Sequence, residues 1–74
     1  MEVIILSHAQ QRMELRGITK DMVRETLSKP EAQDTGYLGR SVSYKKFGNK
    51  YLQVVYEDVD HTRRVITVVW KYKL

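Results

Sequence analysis

The chain has 74 residues, 42% of them hydrophobic and 30% charged, which bounds it to one small globular domain without room for a deep cavity or a large cofactor. Thirteen basic residues against nine acidic ones give a net charge of +4, a lean toward polyanions that falls short of the excess carried by a protein that coats DNA. The absence of cysteine excludes disulfides, thiol catalysis and cysteine-ligated zinc, and no apolar run reaches the roughly 18 residues of a membrane span.

The opening MEVIILS is too short and too acidic to act as a signal peptide, so the expected compartment is the cytoplasm. Within it, Val3 to Leu6 is a β-branched and apolar run that reads as a short strand or an extended lead-in. The stretch Ser7 to Thr19 then holds a helix start, a cationic stripe and a helix stop. Ser7 is a good N-cap, with Gln10 placed to reach back to its amide, and Gly17 supplies the left-handed residue that ends a helix. Along this helix His8, Arg12 and Arg16 follow an i, i+4, i+8 spacing, which turns the direction by only about 40° per step and keeps them on one side. No carboxylate stands three or four residues from either arginine. The row therefore needs a neutralising partner from outside the helix: a carboxylate elsewhere in the fold, such as Glu31, Asp34 or Glu57, or a bound anion.

Thr19 caps a second helix that stops before Pro30, with Ile18, Met22, Val23, Thr26 and Leu27 as its buried stripe. From Glu31 the pattern changes to period two. EAQDTGYLG has weak strand character and reads as a poorly paired strand or a loop, whereas SVSYKKF and KYLQVVYE are stronger strands around a Gly48-Asn49 turn. That turn sets Phe47 opposite Lys50, Lys46 opposite Tyr51, Tyr44 opposite Gln53 and Val42 opposite Val55. DVDHT is a polar turn in which Asp58 and Asp60 act as turn formers, and RRVITVVWKY is the last and most apolar strand. Period two along it puts Ile66, Val68, Trp70 and Tyr72 on the helix side and Val65, Thr67, Val69 and Lys71 on the other. The expected fold is α+β, a single domain over 1–74 with an N-terminal helical hairpin packed on an antiparallel sheet of three to four strands.

His8 has the side chain whose ordinary pKa lies nearest neutral, and Arg12 and Arg16 can hold an anion within its reach. A base beside fixed cations is the minimum apparatus for metal-free RNA cleavage, in which the ribose 2′-hydroxyl attacks the adjacent phosphate. A second proton-transfer group is sought in Glu57, His61 or a tyrosine. Lys45, Lys46, Lys50, Arg63, Arg64 and Lys71 offer phosphate contacts, and Tyr44, Tyr51 and Tyr72 offer rings for unpaired bases. Tyrosine and lysine also serve half-buried and edge positions in sheets of every function. The only histidines are His8 and His61, and DVDHT lacks the glycine and terminal glutamate of a calcium loop, so neither a metal nor a cofactor is expected.

SHAQQRMELRGIT, VRETLSKPE, the hairpin and VITVVW together resemble the family known as domain of unknown function DUF4258, over nearly the whole chain. That family is similar to RelE-like and barnase/colicin-like ribonuclease toxins, which pair N-terminal helices with an antiparallel sheet and cut RNA without metal. The resemblance implies a toxin-like endoribonuclease of the mRNA interferase type, half of a toxin-antitoxin pair, with RNA as substrate and an acidic antitoxin-like protein as partner. It makes His8, Arg12 and Arg16 the polar helix residues of the site and Thr67 its strand threonine; Tyr44, Lys46, Tyr51, Arg64 and Lys71, read from residue type and strand position, are the candidate RNA contacts. The alternative is a non-catalytic RNA- or protein-binding domain of the same fold.

Overall fold

The computed structural model of the chain describes residues 2–35 and 37–74, with Tyr37 described by its backbone alone. Met1, in the opening segment, and Gly36, in the stretch expected to be strand or loop, lie outside the described residues. The elements run β1 (Glu2–Ile5), α1 (Ser7–Arg16), α2 (Lys20–Ser28), β2 (Ala32–Thr35), a 3-10 turn (Tyr37–Gly39), β3 (Ser41–Phe47), β4 (Lys50–Val59) and β5 (Thr62–Lys71). The class is α+β, but the sheet has five strands rather than three or four and is mixed rather than antiparallel. Its order is β1-β5-β4-β3-β2, with β1 parallel to β5 and every other pair antiparallel.

The helical pair is therefore not the N-terminal element. It is the crossover that carries the chain from the β1 edge of the sheet to the β2 edge, over one face. Sequence alone underrates β1 because four residues are too few to be stable by themselves; β5, the most apolar strand, supplies the ladder on which they settle. Ala32–Thr35 is likewise a real edge strand, paired from Ala32↔Tyr44 to Thr35↔Ser41.

The first helix does not begin as Ser7 suggests. Its N-cap is Leu6, without a side-chain cap, and Ser7 is already helical. The Leu6 amide donates to the Val65 carbonyl at 3.1 Å, and the Gln10 side-chain amide donates to the Ile5 carbonyl at 2.9 Å instead of reaching back to Ser7. The chain leaves the β1 ladder straight into the helix, so a tertiary hydrogen bond takes the place of the local cap. The stop is as expected: Gly17 sits at φ +65° and the Ile18 amide donates to Met13. Thr19 caps α2 by accepting from the Met22 amide, while the Met22 sulfur accepts from the Thr19 amide at 3.5 Å, a capping box with methionine in the glutamate position.

The core lies between the helices and one face of the sheet. Ala9 and Met13 of α1, Ile18, and Val23 and Leu27 of α2 pack on Leu52, Val54, Tyr56, Val65 and Val68. The β3–β4 register is the one the Gly48-Asn49 turn dictates, Phe47↔Lys50 through Val42↔Val55. β5 departs from strict alternation. A bulge sets Val55 opposite Thr67 but Tyr56 opposite Val65, so Ile66 is the extra residue and the parity of β5 reverses there. Val65, expected on the far side, is fully buried in the core, and Tyr72 lies beyond the end of the strand with 72% of its surface exposed.

Candidate functional site

The cationic row of α1 sits beside the part of β5 that β1 does not reach. β1 pairs only Thr62 to Val65, which leaves the later residues of β5 without a strand on that side. α1 flanks this edge, and the row divides along it. At the far end Arg16 is turned onto the sheet: its Nη1 donates to the Val68 carbonyl at 2.7 Å, while the Arg16 carbonyl accepts from the Trp70 indole at 3.0 Å. One turn back, the half-buried Arg12 donates through Nε to Nε2 of the exposed His8 at 3.4 Å, a long hydrogen bond. Neither arginine has a carboxylate partner among the described residues, where the ion pair is Arg63 with Asp58. The exposed His8 and the half-buried Arg12 thus form one group, and Arg16 is a fastener between helix and sheet with part of its donor set spent.

Among the described residues the opposite face of the sheet carries no helix. Pairing places Tyr44 and Lys46 of β3, Tyr51 and Gln53 of β4, and Thr67 and Lys71 of β5 on it together. Within that set Lys46, Tyr51 and Lys71 are direct cross-strand neighbours, Lys46↔Tyr51 and Tyr51↔Lys71, so a half-buried ring stands between two exposed ammonium groups. The Lys46 ammonium lies 6.0 Å from the Tyr51 ring centroid. Tyr44 stands one pleat along, two residues before Lys46, while Arg64 is at the other end of the sheet opposite Glu57. Four of the five candidate RNA contacts therefore converge and Arg64 does not. Thr67 shares this face but not the His8 side of the molecule, so the four residues expected to be catalytic do not form one cluster.

Of the other cations named as phosphate contacts, Lys45, Lys50 and Arg63 have structural partners. Lys45 donates to the Lys29 carbonyl at 3.3 Å. The Lys50 ammonium lies 4.1 Å from the Trp70 ring centroid, and Trp70 meets Phe47 edge to face, all on the helix side near the hairpin. Arg63 grips Asp58 with two parallel hydrogen bonds of 2.8 and 3.0 Å and lies over the Tyr56 ring. That hydrogen bonding holds the Asp58 carboxyl below its ordinary value and raises the Arg63 guanidinium. Asp58 is thus a strand residue with a partner, not a turn former; Asp60 and His61 make the turn.

A further feature is invisible to sequence reasoning: a cavity of about 280 Å³ on the helix-free face, between β2–β3 and the C-terminal segment, with Asp34, Tyr44, Lys71, Lys73 and Leu74 among its walls. Its members lie far apart in sequence, and only Asp34, a carboxylate beside a period-two stretch, hints at it. Among the described residues no group of three or more metal-ligating side chains comes together, and no helix is long and apolar enough to cross a membrane.

Comparison with known proteins gives one match. The model of a family described as domain of unknown function (DUF4258) covers residues 5–70, nearly every element above. No curated protein and no solved structure matches the chain.

Proposed function

The chain belongs to the DUF4258 family, and from that premise and the geometry of the sheet we propose that it binds single-stranded RNA across its helix-free face. The observation that carries this reading is the Lys46–Tyr51–Lys71 row. Spaced ammonium groups track a phosphate backbone, and a ring between them stacks on an unpaired base, which is how sequence-tolerant single-strand binders work. The reading places the protein in the cytoplasm, with an acidic antitoxin-like protein as the competitor for the same cations, in the manner proposed for a RelE-like toxin.

Cleavage is the second reading, favoured by the His8–Arg12 pair. The cationic row of the sheet ends on β5, the strand whose Val68 carbonyl Arg16 grips, and from Arg16 back Arg12 and His8 stand along α1 at one-turn intervals. A strand that wraps this edge brings a phosphodiester to the imidazole. His8 then takes the 2′-hydroxyl proton as the 2′-oxygen bonds to phosphorus, the P–O5′ bond breaks, and the leaving 5′-oxygen takes a proton from water. Arg12 stabilises the charge that builds on the phosphoryl oxygens.

Fluorescence anisotropy with a short labelled RNA, run beside a cleavage assay in chelator, separates the two readings. The Lys46→Ala, Lys71→Ala double variant is expected to bind at least about tenfold more weakly. His8→Ala is expected to bind as the parent does and to lose about 10²-fold or more in cleavage. Parent protein that fails to bind RNA at low salt refutes the binding proposal, and RNA left intact by the parent refutes cleavage alone.

A further inference from the structure

The cavity on the helix-free face has a composition that phosphate binding does not explain. Its walls are Ala32, Gln33, Asp34 and Tyr44 on the β2–β3 side and Lys71, Lys73 and Leu74 on the side of the C-terminal segment. The half-buried Tyr44 ring and the Leu74 side chain give it apolar surface for a flat group, and the two ammonium groups suit the phosphates on either side of that group. The carboxylate is the informative member. It weakens the attraction of the two lysines for a bare anion, so it favours a ligand that brings hydrogen-bond donors of its own.

Asp34 is also free to accept. No cation lies within ion-pair distance of it among the described residues. Among the described residues its carboxylate accepts one side-chain hydrogen bond, from the Thr35 amide to Oδ1 at 2.8 Å, which leaves most of its lone-pair sites open. Of the four RNA bases, guanine presents two adjacent donors, N1–H and the N2 amino group, along its Watson–Crick edge. Adenine and cytosine set an acceptor next to their amino group, and uracil flanks its single N–H with two carbonyls.

We propose that this cavity takes one unpaired guanine of a single strand, stacked on Tyr44 and read by Asp34, with Lys71 and Lys73 on the neighbouring phosphates. This rests on the RNA-binding reading above and adds base preference to it.

The test measures binding of four uridine-rich RNA oligonucleotides that differ only in a central G, A, C or U, by anisotropy at low salt, to the full chain and to Asp34→Asn. Asparagine keeps an oxygen for the Thr35 amide and replaces the other acceptor by a donor, so the fold is retained while the reading is lost. The central-G oligonucleotide is expected to bind about tenfold tighter than the other three, and Asp34→Asn to bring the four together. Guanosine monophosphate, which carries only one of the two flanking phosphates, is expected to compete only at far higher concentration. Equal binding of all four by the parent, or a preference for G that survives Asp34→Asn, overturns the guanine assignment and leaves RNA binding standing. Competition by the free nucleotide as strong as by the oligonucleotide overturns the single-strand source, and no binding of any oligonucleotide removes both proposals.

Discussion

Arg12 and Arg16 stand one helical turn apart and carry the same charge, yet the second donates to the Val68 carbonyl at 2.7 Å and the first reaches only His8, at 3.4 Å. The difference comes from the slow rotation of an i, i+4, i+8 row around a helix: each step of about 40° carries the next side chain nearer the Ala9–Met13 stripe that packs on the sheet. Arg16 therefore closes on β5, where a strand edge lacks a neighbour and a carbonyl needs a donor. Arg16→Ala is expected to lower the free energy of unfolding by about 1–2 kcal/mol in urea titrations, and Arg12→Ala by less than about 0.5 kcal/mol. Equal losses for the two variants contradict the division of roles. Spacing makes the row legible as a row; which of its members faces a ligand depends on an acceptor fifty-two residues away, and no local pattern contains that fact.

At the scale of elements, the two β-turns of the sheet contrast. Gly48 takes φ +69°, and no non-glycine residue is needed in that region at the β3–β4 turn. Glycine followed by asparagine is a strong local signal, and the register that follows from it is the observed one. The β4–β5 turn is a two-residue loop in which both Asp60 and His61 have positive φ, at 49° and 63°, the pattern of a type I′ turn built without glycine. Histidine there carries a steric cost that glycine does not. His61→Gly is expected to stabilise the protein by about 0.5–1 kcal/mol in thermal or chemical denaturation, and a destabilised variant speaks against strain at this turn. The bulge at Ile66 is the element that sequence reasoning cannot supply. Alternation predicts one face per residue, and an inserted residue reverses the prediction beyond it. Strict period two therefore puts Val65 on the wrong side while it puts Val68 and Trp70 on the right one.

Across the whole molecule, charge separates along the strands. The hairpin end of the sheet gathers Lys45, Lys46, Lys50 and Lys71, while the β4–β5 turn end gathers Glu57, Asp58 and Asp60 against Arg63 and Arg64. A net charge of +4 is modest, but this arrangement concentrates it at the hairpin end of the sheet. The logarithm of RNA affinity against the logarithm of salt concentration is expected to fall linearly. Removing Lys46 and Lys71 together is expected to flatten that slope by about 1.4, which is about 0.7 for each phosphate no longer neutralised. An unchanged slope means that neither lysine touches phosphate. The sequence by itself determined the helical pair and the β3–β4 hairpin with its register, because helix stops, turn residues and apolar periodicity act over a few residues and need no distant partner. Only the tertiary structure decided that β1 joins β5 in parallel, that a bulge turns Val65 inward, that Arg16 serves the sheet, and that Asp34 meets Lys73 and Leu74 around one cavity. Each of those depends on hydrogen-bond donors, acceptors and apolar surfaces that meet only after distant segments pack, and local sequence carries no record of which of them will.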